Sequence, residues 1–136
     1  MNLNFEIASG DFSKAGRASS HIKKVLKQLQ VEPKVIKRIV VAIYEAEVNV
    51  VAHSVGGTLS AVIDEIGIQV ELKDNGPGIE DIEKAMKKGY STASKKVRDM
   101  GFGAGMGLPN IKKNTDELSI KSKVGEGTTV TFRTNF

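Results

Sequence analysis

Leu3, Phe5 and Ile7 alternate with Asn4, Glu6 and Ala8, the two-residue period of a half-buried strand, and Gly10 closes it. Asp11 or Ser13 can then cap a helix whose apolar positions Ile22, Val25, Leu26 and Leu29 recur at helical spacing through Gln30. Glu32 and Pro33 open a second helix. From Val35 to His53 no turn residue intervenes, and Ile36, Ile39, Val40, Ile43, Val50 and Val51 form one stripe on a helical wheel. Two strands follow, Thr58 to Asp64 and Ile66 to Lys73, before Asp74-Asn75-Gly76-Pro77-Gly78 breaks the alternation. Ile79 to Lys87 reads as a short helix. Residues 88–107 form a Gly-, Ser- and Lys-rich stretch with little apolar periodicity, the pattern of a functional lid rather than of a connection. A helix starts near Gly107 with Pro109 in its first turn, and the strands Leu118 to Lys123 and Thr128 to Asn135 flank the turn Gly125-Glu126-Gly127. This order predicts an α+β fold: a two-layer sandwich in which helices cover one face of a mainly antiparallel mixed sheet.

The 136 residues suit one domain, 1–136, with one core. Absence of cysteine removes disulfides, zinc-thiolate sites and thiol catalysis. The first ten residues carry Glu6 and no basic start before an apolar run, so no secretion signal is read there. The longest apolar run, Ile39 to Ile43, cannot span a bilayer. A soluble, cytoplasmic domain without a membrane partner is expected. The net charge of +4, from 20 basic and 16 acidic residues spread along the chain, includes no basic tract interleaved with aromatics, which argues against nucleic acid.

Glu45, Asn49 and His53 are spaced four apart, so on a helix they drift only about 40° per step and share the face opposite the apolar stripe. Ala42, Val48 and Ala52 accompany them, which makes the helix apolar around most of its girth. A carboxylate and an amide there either need partners or a ligand, or belong to an ordinary polar face. Ile68, Val70 and Leu72 share an inward phase that Asp74 continues. A carboxylate closing a buried row needs a donor, and an adenine amino group would serve. Asn75-Gly76 is also a strong hairpin signal, although Pro77 is a poor start for a returning strand. The glycines of Gly101-Phe102-Gly103-Ala104-Gly105-Met106-Gly107-Leu108 lead into a helix and either offer exposed amides to phosphates or make a plain hinge; they match neither a P-loop nor the dinucleotide fingerprint. Thr128 shares the phase of Val130 and Phe132, so its hydroxyl points inward, within reach of Asp74 or of a ligand through water.

Taken together, Glu45-Ala46-x-x-Asn49-x-x-x-His53, Asp74-x-Gly76-x-Gly78-Ile79, Gly103-x-Gly105-x-Gly107-Leu108 and Gly127-Thr128-x-Val130 resemble the motif boxes of the ATPase superfamily shared by gyrase, Hsp90, histidine kinases and MutL. Within it, the short chain and Glu45-Ala46-x-x-Asn49 are similar to the bacterial anti-sigma-factor serine kinases. Gly89-Tyr90-Ser91-Thr92 resembles the stressosome switch-kinase branch. The resemblance implies a histidine-kinase-like ATPase fold with Asp74 reading adenine and Asn49 holding Mg²⁺. It implies that Gly76, Gly78, Ile79, Gly103, Gly105, Gly107, Leu108 and Thr128 line the ATP site, and that Glu45 is the catalytic base. It further implies serine or threonine phosphorylation of an antagonist-type partner, a sigma factor as a second partner, and homodimerisation, for which the exposed first strand is a contact edge. Lys95, Lys96 or Arg98 of the lid is available to neutralise developing charge.

Glu47 departs from the pattern: similar kinases carry a small or apolar residue there, and it falls in the apolar stripe. Either the stripe is partly exposed or Glu47 pairs at an interface. Three other functions compete with the kinase reading. A histidine-kinase part would use Ser20-His21 as its acceptor segment, but the chain has no room for a dimerisation hairpin ahead of the domain. A binding module would sequester a sigma factor or other regulator with little transfer activity. A hydrolysis-driven clamp would need further domains.

Overall fold

The computed structural model describes residues 1–8, 15–53, 56–74 and 107–136. Their order is β1 (Asn2–Ile7), α1 (Arg17–Gln28), α2 (Pro33–His53), β2 (Gly57–Ile63), β3 (Gly67–Asp74), α3 (Gly107–Lys113), β4 (Glu117–Lys123) and β5 (Gly127–Asn135). The helix expected over Ile79 to Lys87 and nearly all of the stretch 88–107 lie outside the described residues.

The strands form one sheet in the order β1-β2-β3-β5-β4, and every pairing among them is antiparallel rather than mixed. Short connections force two of these pairings: β2 joins β3 through residues 64–66 and β4 joins β5 through 124–126, lengths that permit hairpins and exclude parallel crossovers. Period-two patterning decides the faces. Leu59, Ala61, Ile63, Ile68, Val70, Leu72 and Phe132 are buried in one core with Ile22, Leu26, Ile39, Ile43 and Ile111 of the helices, while Val62, Gln69 and Lys73 of β2 and β3 are exposed. β1 and β4 form the sheet edges, and among the described residues β1 pairs with β2 on one side only.

Element ends differ from the sequence expectation where side chains from elsewhere intervene. β2 stops at Ile63 because the Asp64 carboxylate accepts from the amides of Ile66 and Gly67, at 2.9 and 2.8 Å, and so makes the turn itself. Helix α1 starts at Arg17, with Gly16 in the left-handed region (φ 95°) as a cap residue that has no side chain to offer. It ends at Gln28, not Gln30. The amide of Gln30 bonds to the Lys27 carbonyl and that of Val31 to the Leu26 carbonyl, both at 3.1 Å, and this reverse turn puts Gln30 at φ 60°.

The missing cap on α1 is supplied by Glu47 of α2. Its carboxylate accepts from the amides of Gly16 (3.2 Å), Ala18 (3.3 Å) and Ser19 (2.8 Å), donors that a helix start leaves unpaired. Glu47 is only 3% exposed, so neither expectation for it holds: the stripe is closed there, and the partner is backbone inside the same chain. A negative charge at the positive end of a helix is favourable, which lets one polar side chain interrupt an apolar stripe.

Candidate functional site

Helix α2 carries Glu45 and Asn49 in its second half. Only residues 54–56 separate its last residue, His53, from Gly57, and Gly57 lies opposite Asp74 in the sheet. Asp74 in turn lies opposite Thr128 on β5. The run from the second half of α2 through Gly57 and Asp74 to Thr128 therefore links four of the residues singled out in the sequence, Glu45, Asn49, Asp74 and Thr128.

Asp74 is half-buried and ends the row of Ile68, Val70 and Leu72, all three buried. One of its oxygens, Oδ1, accepts from the backbone N–H of Thr128 at 3.2 Å. The side chain of Thr128 has another partner: its hydroxyl lies 2.8 Å from the Ser122 hydroxyl of β4, and the Ser122 hydroxyl donates to the Gly127 carbonyl at 3.2 Å. The link between Thr128 and Asp74 thus runs through the amide, and Ser122 enters the site's support through a contact no sequence spacing indicates.

Glu45 and Asn49 are half-buried although they oppose the apolar stripe, because α3 packs on that side of α2. The side-chain amide of Asn110 on α3 donates to Glu45 Oε1 at 3.3 Å. Glu45 Oε2 and the Asn49 amide accept or donate no hydrogen bond among the described residues. The site thus presents a carboxylate oxygen and an amide oxygen, both hard ligands and acceptors, one helical turn apart on the same face.

Leu108 is buried in the core and roots α3, and Gly107 is that helix's first residue. Gly76, Gly78, Ile79, Gly103 and Gly105 fall outside the described residues, as do Lys95, Lys96 and Arg98. His21 is exposed and meets the ring of Phe5 edge-on, with centroids 5.5 Å apart.

Besides Ser122, sequence reasoning missed two residues near the site. Asn110 has no motif around it that marks a contact with Glu45. Gly57 sits where an added Cβ would run into the Lys73 carbonyl oxygen and come within 3.0 Å of Asp74 Cα, so its lack of a side chain lets β2 lie close beside the end of β3. A glycine opening a strand opposite a functional carboxylate was the available signal.

A sequence model of the histidine kinase-like ATPase domain matches residues 10–134. The chain belongs to this family. Within it, the chain is 35% identical over 99 residues to the serine/threonine-protein kinase RsbT of Bacillus subtilis, spanning 68% of this chain and 67% of RsbT. It is 36% identical over 108 residues to an anti-sigma F factor of Thermoanaerobacter, spanning 74% of this chain and 72% of that protein. Among solved structures, the RsbU and RsbW domains of a Mycobacterium tuberculosis protein superpose with a TM-score of 0.66 at 18% identity, covering 98% of this chain and 32% of that longer one. The SiaB-SiaC complex of Pseudomonas aeruginosa gives 0.59 at 15% identity, covering 98% and 89%. These two likenesses bear on the fold alone; the family, a histidine kinase-like ATPase domain, implies ATP as its ligand. No helix among the described residues is long and apolar enough to cross a membrane.

Proposed function

We propose that the protein is an ATP-dependent serine/threonine kinase of the anti-sigma regulatory type, acting on a small antagonist-type protein. The observation that carries this is the half-buried pair Glu45 and Asn49, with an open carboxylate oxygen and an open amide among the described residues, on the helix that leads into Gly57, the sheet partner of Asp74. Similarity to RsbT, named a serine/threonine-protein kinase, supports the reaction class.

In this reading the unit is one domain, 1–136, and residues 88–107 close over the nucleotide. Asp74 accepts from the adenine amino group as well as from the Thr128 amide. The glycines of Gly76-Pro77-Gly78, with Ile79, border the base, and Gly103, Gly105 and Gly107 offer amides to the phosphates. Leu108 and Thr128 support the site from α3 and β5. Asn49 supplies a hard oxygen suited to Mg²⁺, and its half-buried amide without a protein partner among the described residues fits that ligand. When bound, Mg²⁺ neutralises charge on the phosphate oxygens. Glu45 takes the proton of the acceptor hydroxyl as its oxygen bonds to the γ-phosphorus. The bond from that phosphorus to the β–γ bridging oxygen breaks, and ADP leaves with the electron pair. Lys95, Lys96 or Arg98 offers the positive charge that the leaving phosphate needs.

The relatives named anti-sigma F factor favour a second activity in the same protein, a nucleotide-dependent grip on a sigma factor through another surface. A pull-down from the source cell with ATP or ADP, followed by mapping of phosphate on the captured proteins, tests both. Acid-stable phosphate on serine or threonine of a small captured protein is the expected result, and with Glu45→Ala it should fall to a slow residual transfer while ATP binding persists. Transfer at the normal rate by Glu45→Ala would overturn the base assignment, and acid-labile phosphate on His21 would overturn the kinase class.

A further inference from the structure

We infer that Asn110 is a positioning residue for Glu45: it holds Oε1 of the carboxylate so that Oε2 is turned toward the acceptor hydroxyl. This rests on Glu45 as the base. An ionised carboxylate only accepts hydrogen bonds, so the nitrogen end of the Asn110 amide must face it, as the 3.3 Å contact from Nδ2 to Oε1 has it. The contact is partly buried and joins residues 65 apart in sequence, hence two separate elements. A glutamate side chain spins freely about its last torsion, and a base with one oxygen fixed keeps the other aligned.

The donor itself stands on a firm mount. Leu108 and Ile111, on either side of Asn110 along α3, are buried in the core, Ile111 fully. The Asn110 carbonyl accepts from the backbone amide of Asn114 at 3.2 Å and from its side-chain amide at 2.8 Å. α3 also packs along α2, which carries Glu45. Site geometry held by regular elements is more exact than geometry held by loops. Local preference does not account for the residue, because asparagine is a poor helix former compared with leucine or alanine. With Oε1 engaged and Oε2 free of hydrogen bonds among the described residues, the carboxylate is asymmetric in the manner that a general base needs.

Asn110→Leu deletes the donor with little change in volume and favours the helix. Single-turnover transfer of labelled γ-phosphoryl from ATP to the captured acceptor protein should slow about tenfold, in the range of a lost hydrogen bond to a charged group. ATP affinity by calorimetry should stay within about twofold, since the loss is in the reacting state and not in nucleotide binding. Asn110→Gln, which keeps the donor, should recover part of the rate and stands in if Asn110→Leu folds poorly. In a Glu45→Ala background, Asn110→Leu should cause no further slowing, because its effect passes through Glu45. In the free protein, Glu45→Gln should shift the side-chain amide signal of Asn110 in NMR spectra. A normal rate for Asn110→Leu, an equal loss with or without Glu45, or an unmoved amide signal overturns the inference. If Glu45→Ala is slowed while Asn110→Leu is normal, only the positioning role fails. If Glu45→Ala transfers normally, the base assignment fails and the positioning role falls with it.

Discussion

Replacing Glu47 with alanine should strip the start of α1 of its acceptor. Three amides, those of Gly16, Ala18 and Ser19, now end on the Glu47 carboxylate, and Gly16 has no side chain to replace it. Loss of an N-cap alone costs about 0.5–2 kcal/mol. Each buried donor left unpaired adds about 1–3 kcal/mol, part of which water recovers by entering the vacated space. Relief from desolving a carboxylate that is 3% exposed acts in the opposite direction. The balance is a loss of about 3 kcal/mol, a third or so of the roughly 10 kcal/mol that a domain of this size commands, so the variant should still fold at 25 °C. Glu47→Gln retains one acceptor oxygen and should lose about half as much. Urea unfolding followed by circular dichroism measures both, and with a slope of about 2 kcal/mol per molar the Glu47→Ala midpoint should fall by about 1.5 M. Hydrogen exchange should speed up first at Ala18 and Ser19. A loss below about 1 kcal/mol, or a loss with unchanged exchange at those two amides, would refute the reasoning.

Three more expectations come from particular contacts. Gly57→Ala forces a Cβ against the backbone of Lys73 and Asp74, so ATP affinity by calorimetry should drop about tenfold, and wild-type affinity would count against Gly57 as the spacer of Asp74. Gln30 sits in the left-handed region at φ 60°, so Gln30→Gly should raise the urea midpoint by a stability gain of up to about 1 kcal/mol, and a lowered midpoint would contradict it. The Asn135 amide, at 2.7 Å, and the Arg38 guanidinium hold the Asp116 carboxyl below the usual carboxylate range. A depressed folded-state value means stability that is present above the ordinary range and lost as pH falls through the folded value, below about pH 4. Asp116→Asn should therefore be less stable than wild type at neutral pH and converge with it in acid; parallel curves would sink the assignment.

Much of the fold was legible because it follows from short-range periodicity. The inward phase of Ile68, Val70 and Leu72 predicted the β3 core face, and it predicted that Asp74 would continue it; the strand does run to Asp74, which is half-buried. The unbroken stretch after Pro33 predicted one long helix, and α2 runs over it in full. Strand ends fell within a residue of expectation, and the shifts at Asp64 and Gln30 arose from hydrogen bonds that close turns.

The sequence by itself determined the element types, the buried faces and, through its four motif boxes, the ATPase family that the chain belongs to. These depend on residue spacing, which a helix or strand converts directly into direction. Tertiary structure decided what lies opposite a given side chain. Glu47 breaks its stripe by any local rule, and only the docking of α1 across α2 supplies the amides that make a buried carboxylate stable there. Asn110 meets Glu45, and Gly57 and Thr128 flank Asp74, through contacts between elements distant in the chain. Periodicity says which way a residue points; only the packed core says what it meets.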